Sequence, residues 1–432
     1  MAQSGQLKRE LGVLGAVMMG LGSIVGTGIF VSVGIGAGVA GPAVLLAIVI
    51  AAGVATCNGL SSAQLAANHP VSGGTYEYGY RYLTPRLGFI AGWLFLLAKS
   101  ASAATAALGF SGYLLDALHV DTDTWLVPLA LLTVALFTLV VLGGIRRSNA
   151  VNIAIVSLTL LALIAFVAVG LTHIVPENLM PFFVEGEAGT LPALLQASAL
   201  MFVAYTGYGR VATLGEEVRD PQRTIPRAIL ATLLVTMVLY ISVAFVGVGV
   251  LGAPGLANAA DTTAAPLEAA AATFNIPPLS WLVTIGAMTA MLGVLINLLL
   301  GLSRVLLAMG RRGDMPPAVA MLNQAGTTPT MAVIIMGVVV FGLVLIGNVH
   351  TTWSFSAFTV LMYYSLTNLS ALRLPPQERL YPVAISAAGL VGCLGLAFWV
   401  EPQIWLVGLV LIIIGFVWQS MAKRLWSEPR TP

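Results

Sequence analysis

Two interrupted apolar stretches and two lone cations hold the residues able to do chemistry. The first stretch is Gly20-Leu21-Gly22-Ser23-Ile24-Val25-Gly26-Thr27-Gly28-Ile29-Phe30. It lies within an apolar run over residues 11–39, long enough to cross a membrane. Four glycines, a serine and a threonine stand where a spanning helix is normally dense and apolar. Glycine favours an unwound backbone, and unwound backbone at membrane depth survives only against protein or a water-filled cavity. Unwinding frees N–H groups at the start of the following half-helix, and these attract an anion such as a carboxylate. The alternative is close helix packing through small residues.

The second stretch is Leu200-Met201-Phe202-Val203-Ala204-Tyr205-Thr206-Gly207-Tyr208-Gly209-Arg210-Val211-Ala212-Thr213-Leu214-Gly215-Glu216-Glu217. Glycines, aromatics and a charge again break an apolar run at its centre. Carbonyl groups freed there suit an ammonium. The two cations are Lys99 and Arg210, both inside apolar runs. An intramembrane cation is costly and is a functional-site candidate by default. The structural alternatives are an ion pair with a carboxylate or a snorkelling side chain. Lys99 stands about 14 residues into its run, roughly 20 Å along a helix and near the bilayer centre. Three roles follow for it: a coupling cation that gains and loses a proton, a filter against cationic ligands, or a plain partner of Glu216, Glu217 or freed carbonyls.

The rest of the chain must position these residues in a membrane. Of 432 residues, 58% are hydrophobic and 8% charged. A soluble domain carries about 25% charged residues, so this is a multi-spanning helical membrane protein. A net charge of +2 gives no reason to expect a nucleic-acid partner. Cys57 and Cys393 lie far apart in apolar runs, and the four histidines have no pair at ligand spacing. Neither a disulfide framework, a metal site nor a bound cofactor is expected. The first apolar run is too long for a cleavable signal peptide and is expected to stay in the fold.

Runs of about 20 apolar residues define the spans. They fall at 11–39, 42–68, 86–115, 125–145, 149–172, 190–217, 226–252, 280–309, 329–347, 352–373, 380–398 and 402–423. The amphipathic, aromatic stretch 69–84 is expected at the interface. The segment 253–279 holds Pro254, Pro266, Pro277 and Pro278 and reads as a loop with a short helix. With these spans, all of the 19 Lys and Arg except Lys99 and Arg210 fall in the two tails, in the even-numbered connections or in the span ends that adjoin them. The other connections carry acids instead, among them Asp116, Glu177, Glu268 and Glu401. By the positive-inside rule both termini are expected in the cytoplasm, with the chain in the inner or plasma membrane. The interrupted spans, one and six, are five apart. Matching interruptions in two halves are the sequence mark of an inverted-repeat transporter holding its solute at the break.

Four motifs carry a family resemblance. The residues Gly22-Ser23-Ile24-Val25-Gly26-Thr27-Gly28-Ile29-Phe30 resemble the first-helix signature of the amino acid–polyamine–organocation transporters. Pro70-Val71-Ser72-Gly73-Gly74-Thr75-Tyr76 is similar to their loop after helix two. Glu216-Glu217-Val218-Arg219-Asp220-Pro221-Gln222-Arg223-Thr224-Ile225-Pro226 is similar to their loop after helix six. Ser303-Arg304-Val305-Leu306-Leu307-Ala308-Met309-Gly310-Arg311-Arg312-Gly313 resembles the end of their helix eight. The motifs stand in family order over most of the chain and most resemble the cationic-amino-acid-transporter-like branch.

The resemblance implies an all-α membrane protein of twelve transmembrane helices. Its core is a five-plus-five inverted repeat (LeuT-like) with helices 1 and 6 unwound. A tail over 1–10 precedes a core of ten helices over 11–373. Two added helices follow over 374–423, then a tail over 424–432. The resemblance also implies alternating-access transport of an amino acid. Ser23, Gly26, Thr27 and Gly28 match the family's carboxylate-binding positions. Phe202, Val203, Ala204, Tyr205 and Gly207 match its ammonium-binding carbonyls and aromatic gate.

The chain departs from the family at three places. Gly209 stands where many relatives carry an acid, and with Lys99 and Arg210 this favours a neutral over a cationic substrate. Thr159 stands where some relatives place a coupling lysine. Residues 292–302 contain no hydroxyl, where sodium-coupled members of the fold supply them. These absences leave proton, sodium or no ion coupling open, a proton being one candidate partner, with Lys99, Thr159, Arg210, Glu216, Glu217, Asn297 and Ser356 as gate or coupling candidates. Asn297 and Ser356 either line the site or make interhelical hydrogen bonds.

Two rivals come from other classes. An enzyme would need a metal cluster, a nucleophile triad or paired carboxylates, and the spans hold none. A channel would show a polar stripe along several helices, and none appears. A facilitator or exchanger for another small amine or carboxylate metabolite is the alternative on the same fold.

Overall fold

The computed structural model describes residues 12–69, 73–144, 149–184, 189–212, 218–324 and 326–426. Among these the chain is all-α. Eight helices are long and apolar enough to cross a membrane, and three shorter apolar helices accompany them. Side chains such as Leu132, Leu161, Val338, Val391 and Ile413 stay exposed on the outside of the bundle. Exposed apolar area on that scale is what a lipid-facing surface requires.

The first apolar run is broken twice. Helix α1 (Val13–Ile24) stops at Val25, whose φ/ψ of −78°/104° is extended. Gly26 is also extended (φ −175°, ψ −129°), and α2 (Thr27–Phe30) begins after it. A bend at Val31 then leads into α3 (Ser32–Ala40). The chain returns through α4 (Val44–Asn68).

Amphipathic α5 (Thr75–Tyr82) follows, then the long α6 (Pro85–Ala117), started by the Thr84 side chain, which accepts from Leu87 N–H. Next come α7 (Thr122–Leu142) and α8 (Asn149–Gly170). The sixth run forms α9 (Thr190–Tyr205), a tight 3₁₀ turn at Thr206–Tyr208 and a short α10 (Gly209–Ala212). Glu216 and Glu217 lie outside the described residues.

Helix α11 (Pro221–Thr262) is kinked at Gly252, whose positive φ of 75° no side chain adopts readily. After it come α12 (Pro266–Ala272), α13 (Pro277–Arg311), α14 (Thr330–Val344) and α15 (Val349–Leu372). The chain ends in α16 (Val383–Ala397) and α17 (Pro402–Trp426).

The segment 253–279 differs from the expected loop. It is mostly helix, as the end of α11 and as α12. Pro254 and Pro266 stand in first turns, where the missing N–H costs nothing, so they start helices here rather than break them.

Helix α6 runs through the centre of the bundle, with α13 and α15 packed along it. Small residues let these backbones close up: Ala101, Ala103, Ala104, Ala106 and Ala107 of α6 are all buried. The breaks are then tied to their surroundings by long polar side chains. Asn152 Nδ2 donates to the Met18 carbonyl at 3.1 Å. Tyr113 Oη donates to the Phe30 carbonyl at 2.9 Å, and Trp353 Nε1 to the Leu200 carbonyl at 3.0 Å.

One polar cluster fastens α5 to the end of α13. Tyr76 Oη donates to Asp314 Oδ2 at 2.7 Å, and Tyr80 Oη to the same oxygen at 2.6 Å. Burial and the Asp314 carboxylate push both phenols above their ordinary range. The Arg312 guanidinium pairs with Glu77 and lies 4.2 Å from the Tyr80 ring centre. Asp314 itself is buried. Hydrogen bonds to a charged group are worth about 1.5–3 kcal/mol each. Asp314→Ala removes the acceptor for both phenols and is expected to destabilise the protein by roughly 2–4 kcal/mol. Thermal unfolding of the purified variant checks this, and a midpoint like the parent's would mean that α5 is held by other contacts.

Candidate functional site

The two broken runs meet. A Cβ built on Gly207 would fall on the Ser23 carbonyl oxygen, so the turn after α9 lies against the end of α1 with no room for a side chain. Gly28 makes a second close approach: its Cβ would stand 2.7 Å from Ala204 Cβ. Tyr240 of α11 reaches both breaks, its hydroxyl lying 3.1 Å from the Ile24 carbonyl and 3.2 Å from the Ala204 carbonyl. Tyr364 of α15 donates to the Thr206 carbonyl at 3.1 Å.

The sixth run is therefore tightened rather than opened out. Thr206 and Gly209 keep helical φ/ψ (−70°/−2° and −54°/−27°). Carbonyls that such a break frees must find donors, and tyrosine hydroxyls from two neighbouring helices supply them.

A cavity of about 230 Å³ opens beside this junction. Ser23, Thr27 and Gly28 line it from the first run, and Val203, Ala204, Gly207 and Arg210 from the sixth. Lys99 lines it from α6 and Asn297 from α13. The structure thus brings together most of the residues singled out in the sequence. Thr27 is buried, and its Oγ1 has no hydrogen-bond partner among the described residues. Ser23 Oγ donates to the Met19 carbonyl at 3.0 Å. In the next helical turn the N–H groups of Ile29 and Phe30 already pair with Gly26, so the N–H groups of Gly26, Thr27 and Gly28 stand at a helix start.

Lys99 is half-buried, with its open side on the cavity. Its Nζ donates to Thr206 Oγ1 at 2.9 Å, and Thr206 Oγ1 donates on to the Val203 carbonyl at 2.9 Å. No carboxylate lies within ion-pair distance of Lys99 among the described residues. Arg210 lines the cavity and is not free.

Several singled-out residues stand off the cavity. A Cβ on Gly26 would meet Val294 Cγ2 at 2.7 Å, so Gly26 faces α13. Phe202 and Tyr205 are fully buried. Phe202 packs edge-on against Tyr364, with ring centres 5.9 Å apart, and Tyr205 packs at a tilt against Tyr240 at 5.3 Å. Thr159 Oγ1 donates to the Ile155 carbonyl of its own helix at 2.8 Å. Ser356 joins Ser102 at 2.8 Å and the Ala98 carbonyl at 3.1 Å, an interhelical bond.

The aromatic wall consists of residues not picked out from the sequence: Phe95, Trp353, Tyr363 and Tyr364. For Tyr363 and Tyr364 a signal existed, since the α15 run is rich in hydroxyls and aromatics for an apolar span. For Tyr240, in a run otherwise made mostly of aliphatic residues, there was none.

A helical membrane protein with a polar-lined cavity where two helix breaks meet has the build of a carrier of a small solute. The chain belongs to the amino acid permease family: that family's description fits residues 15–427. It is 40% identical to an uncharacterized transporter of Mycobacterium tuberculosis, over 91% of this chain and 86% of the relative. It is 32% identical to the branched-chain amino acid permease BcaP of Bacillus subtilis, over 77% and 74%. It is also 28% identical to the vacuolar cationic amino acid transporter 2 of Arabidopsis thaliana, over 88% of this chain and 62% of the relative. These likenesses do not single out the cationic branch to which the motifs pointed. The protein is a secondary transporter that moves a small polar or charged solute across a membrane.

Proposed function

We propose that the solute is an amino acid, neutral in preference to cationic, carried by alternating access. The observation that carries this reading is the buried, unpartnered Thr27 hydroxyl on the wall of a cavity where two helix breaks meet. A buried hydroxyl without a partner costs free energy that a bound carboxylate would recover. In this reading the substrate carboxylate sits by Ser23, Thr27 and Gly28, and its ammonium against the sixth-run wall of Val203, Ala204 and Gly207. Broken helices of this kind offer opposite dipole ends to the two charged groups of an amino acid. The lack of a described carboxylate on the cavity wall, with Lys99 present, supports the preference against cations. The gate falls to Tyr364 with Phe202 behind it, rather than to Tyr205.

The wider architecture belongs to the same proposal. The eight helices of membrane length and the three shorter apolar ones support a twelve-span reading in which the first and sixth spans are the interrupted ones. A five-plus-five inverted repeat over 11–373, with two added helices and cytoplasmic termini, fits this order and the charge pattern. Lys99 is the amine through which a coupling proton would act, since Thr159 is spent on its own helix.

A thermal-shift screen of purified protein against amino acids, amines and small carboxylates, followed by counterflow in proteoliposomes, tests the reading. Counterflow of an amino acid is expected. If only non-amino-acid metabolites exchange, the substrate class is wrong. Thr27→Val keeps the shape but removes the hydroxyl, and is expected to weaken amino acid binding about tenfold, the value of one hydrogen bond to a charged group. Titration calorimetry checks this, and parent-like affinity would place the carboxylate elsewhere.

A further inference from the structure

Lys99 poses a problem of charge balance. An ammonium held away from bulk water is stable only beside an anion or a full set of acceptors. Here three N–H donors find one acceptor, Thr206 Oγ1 at 2.9 Å, and the remaining open side faces the cavity. The same wall carries Arg210 and Arg304, and no Asp or Glu among the described residues. A second cavity of about 500 Å³ continues from the first, sharing Gly73, Arg304 and Val305. It adds Arg311, Arg312 and Glu77, and the one acid there is already paired with Arg312. The route from the helix breaks to the surface at the α5 end thus carries a net positive charge in its described lining. Arginines at a cytoplasmic mouth follow from topology alone, but a lysine beside the breaks does not.

We infer that the site takes an amino acid whose side chain ends in a carboxylate, with Lys99 as the counter-ion of that second carboxylate. The inference rests on the amino acid reading above: it keeps the exclusion of cationic substrates and replaces the neutral side chain with an anionic one. The α-carboxylate remains with Thr27, and the side-chain carboxylate reaches Lys99 across the cavity. A basic vestibule raises the local concentration of such an anion and steers it inward.

The test is the affinity of the purified full-length protein for L-glutamate, L-aspartate, L-glutamine, L-leucine and L-lysine. Glutamate and glutamine have nearly the same shape and differ in one charge. Glutamate or aspartate is expected to bind at least tenfold more tightly than glutamine. In Lys99→Met that ratio is expected to collapse towards one, and in Lys99→Arg to persist in part. Equal affinities of the parent for glutamate and glutamine overturn the inference, as does leucine binding more tightly than either dicarboxylate. In those cases the amino acid reading stands. If no amino acid binds, that reading fails and the inference falls with it. Should Lys99→Met not fold, the comparison of glutamate with glutamine in the parent decides alone.

Discussion

Gly207→Ala is expected to abolish uptake, with a loss greater than a hundredfold. The smallest possible side chain at Gly207 would fall on the Ser23 carbonyl oxygen, and backbone cannot turn aside as a side chain can. The end of α1 and the turn at Thr206–Tyr208 would have to separate, opening the junction that lines the cavity. Overpacking of this sort costs about 1–3 kcal/mol in stability, but its effect on transport is larger because both halves of the site move together. Gly209→Ala is the control. A Cβ there meets only the Tyr364 hydroxyl, at 3.1 Å, the end of a side chain and not backbone. Uptake of a radiolabelled amino acid into proteoliposomes, alongside size-exclusion profiles, separates lost transport from lost folding. A Gly207→Ala protein that transports like the parent would show that the two breaks are not packed as described.

Helix positions were legible because membrane burial imposes a crude rule. Long apolar runs become helices, and eight of membrane length and three shorter apolar ones form among the described residues. The breaks were legible for the same reason in reverse, since glycine and serine in the middle of such a run contradict it. What could not be read was how each break is closed. Gly26 and Gly28 stand two residues apart, yet one faces Val294 of α13 and the other Ala204 of α9. Only the extended φ/ψ at Val25 and Gly26 fixes that division. Phe202 and Tyr205 fit the motif of a gate, but they share the face of α9 that packs into the bundle, and Val203, Ala204 and Gly207 are left on the cavity.

Lys99 was visible as an anomaly, and its partner was not. Its depth in the run came from counting residues, whereas Thr206 lies 107 positions away in the chain. The same limit applies to the cluster of Tyr76, Tyr80 and Asp314, where an amphipathic stretch was recognised but not what it docks against. Long-range pairings of single polar residues leave no periodic trace, since one buried acceptor looks the same in sequence wherever its donor lies.

Tyr240→Phe is expected to lower uptake at least tenfold and to reduce stability by about 1–3 kcal/mol, the cost of leaving a buried carbonyl unpaired. The hydroxyl is shared between the Ile24 and Ala204 carbonyls, 3.1 and 3.2 Å away. With Val25 and Gly26 extended, the Ile24 carbonyl ends a helix and needs a donor from outside it. Water could supply one only by entering the junction and loosening it. Phenylalanine keeps the ring against Tyr205, whose centre is 5.3 Å away, so packing is preserved and the hydroxyl alone is tested. Tyr240 is not on the cavity wall, and its effect must pass through the position of the two breaks. That predicts a loss of affinity for every substrate alike, without the charge selectivity expected from changing Lys99. Thermal unfolding and substrate titrations on the same preparation check both parts. If Tyr240→Phe unfolds and binds like the parent, the breaks are held by the packing of Gly28 and Gly207 without the hydroxyl.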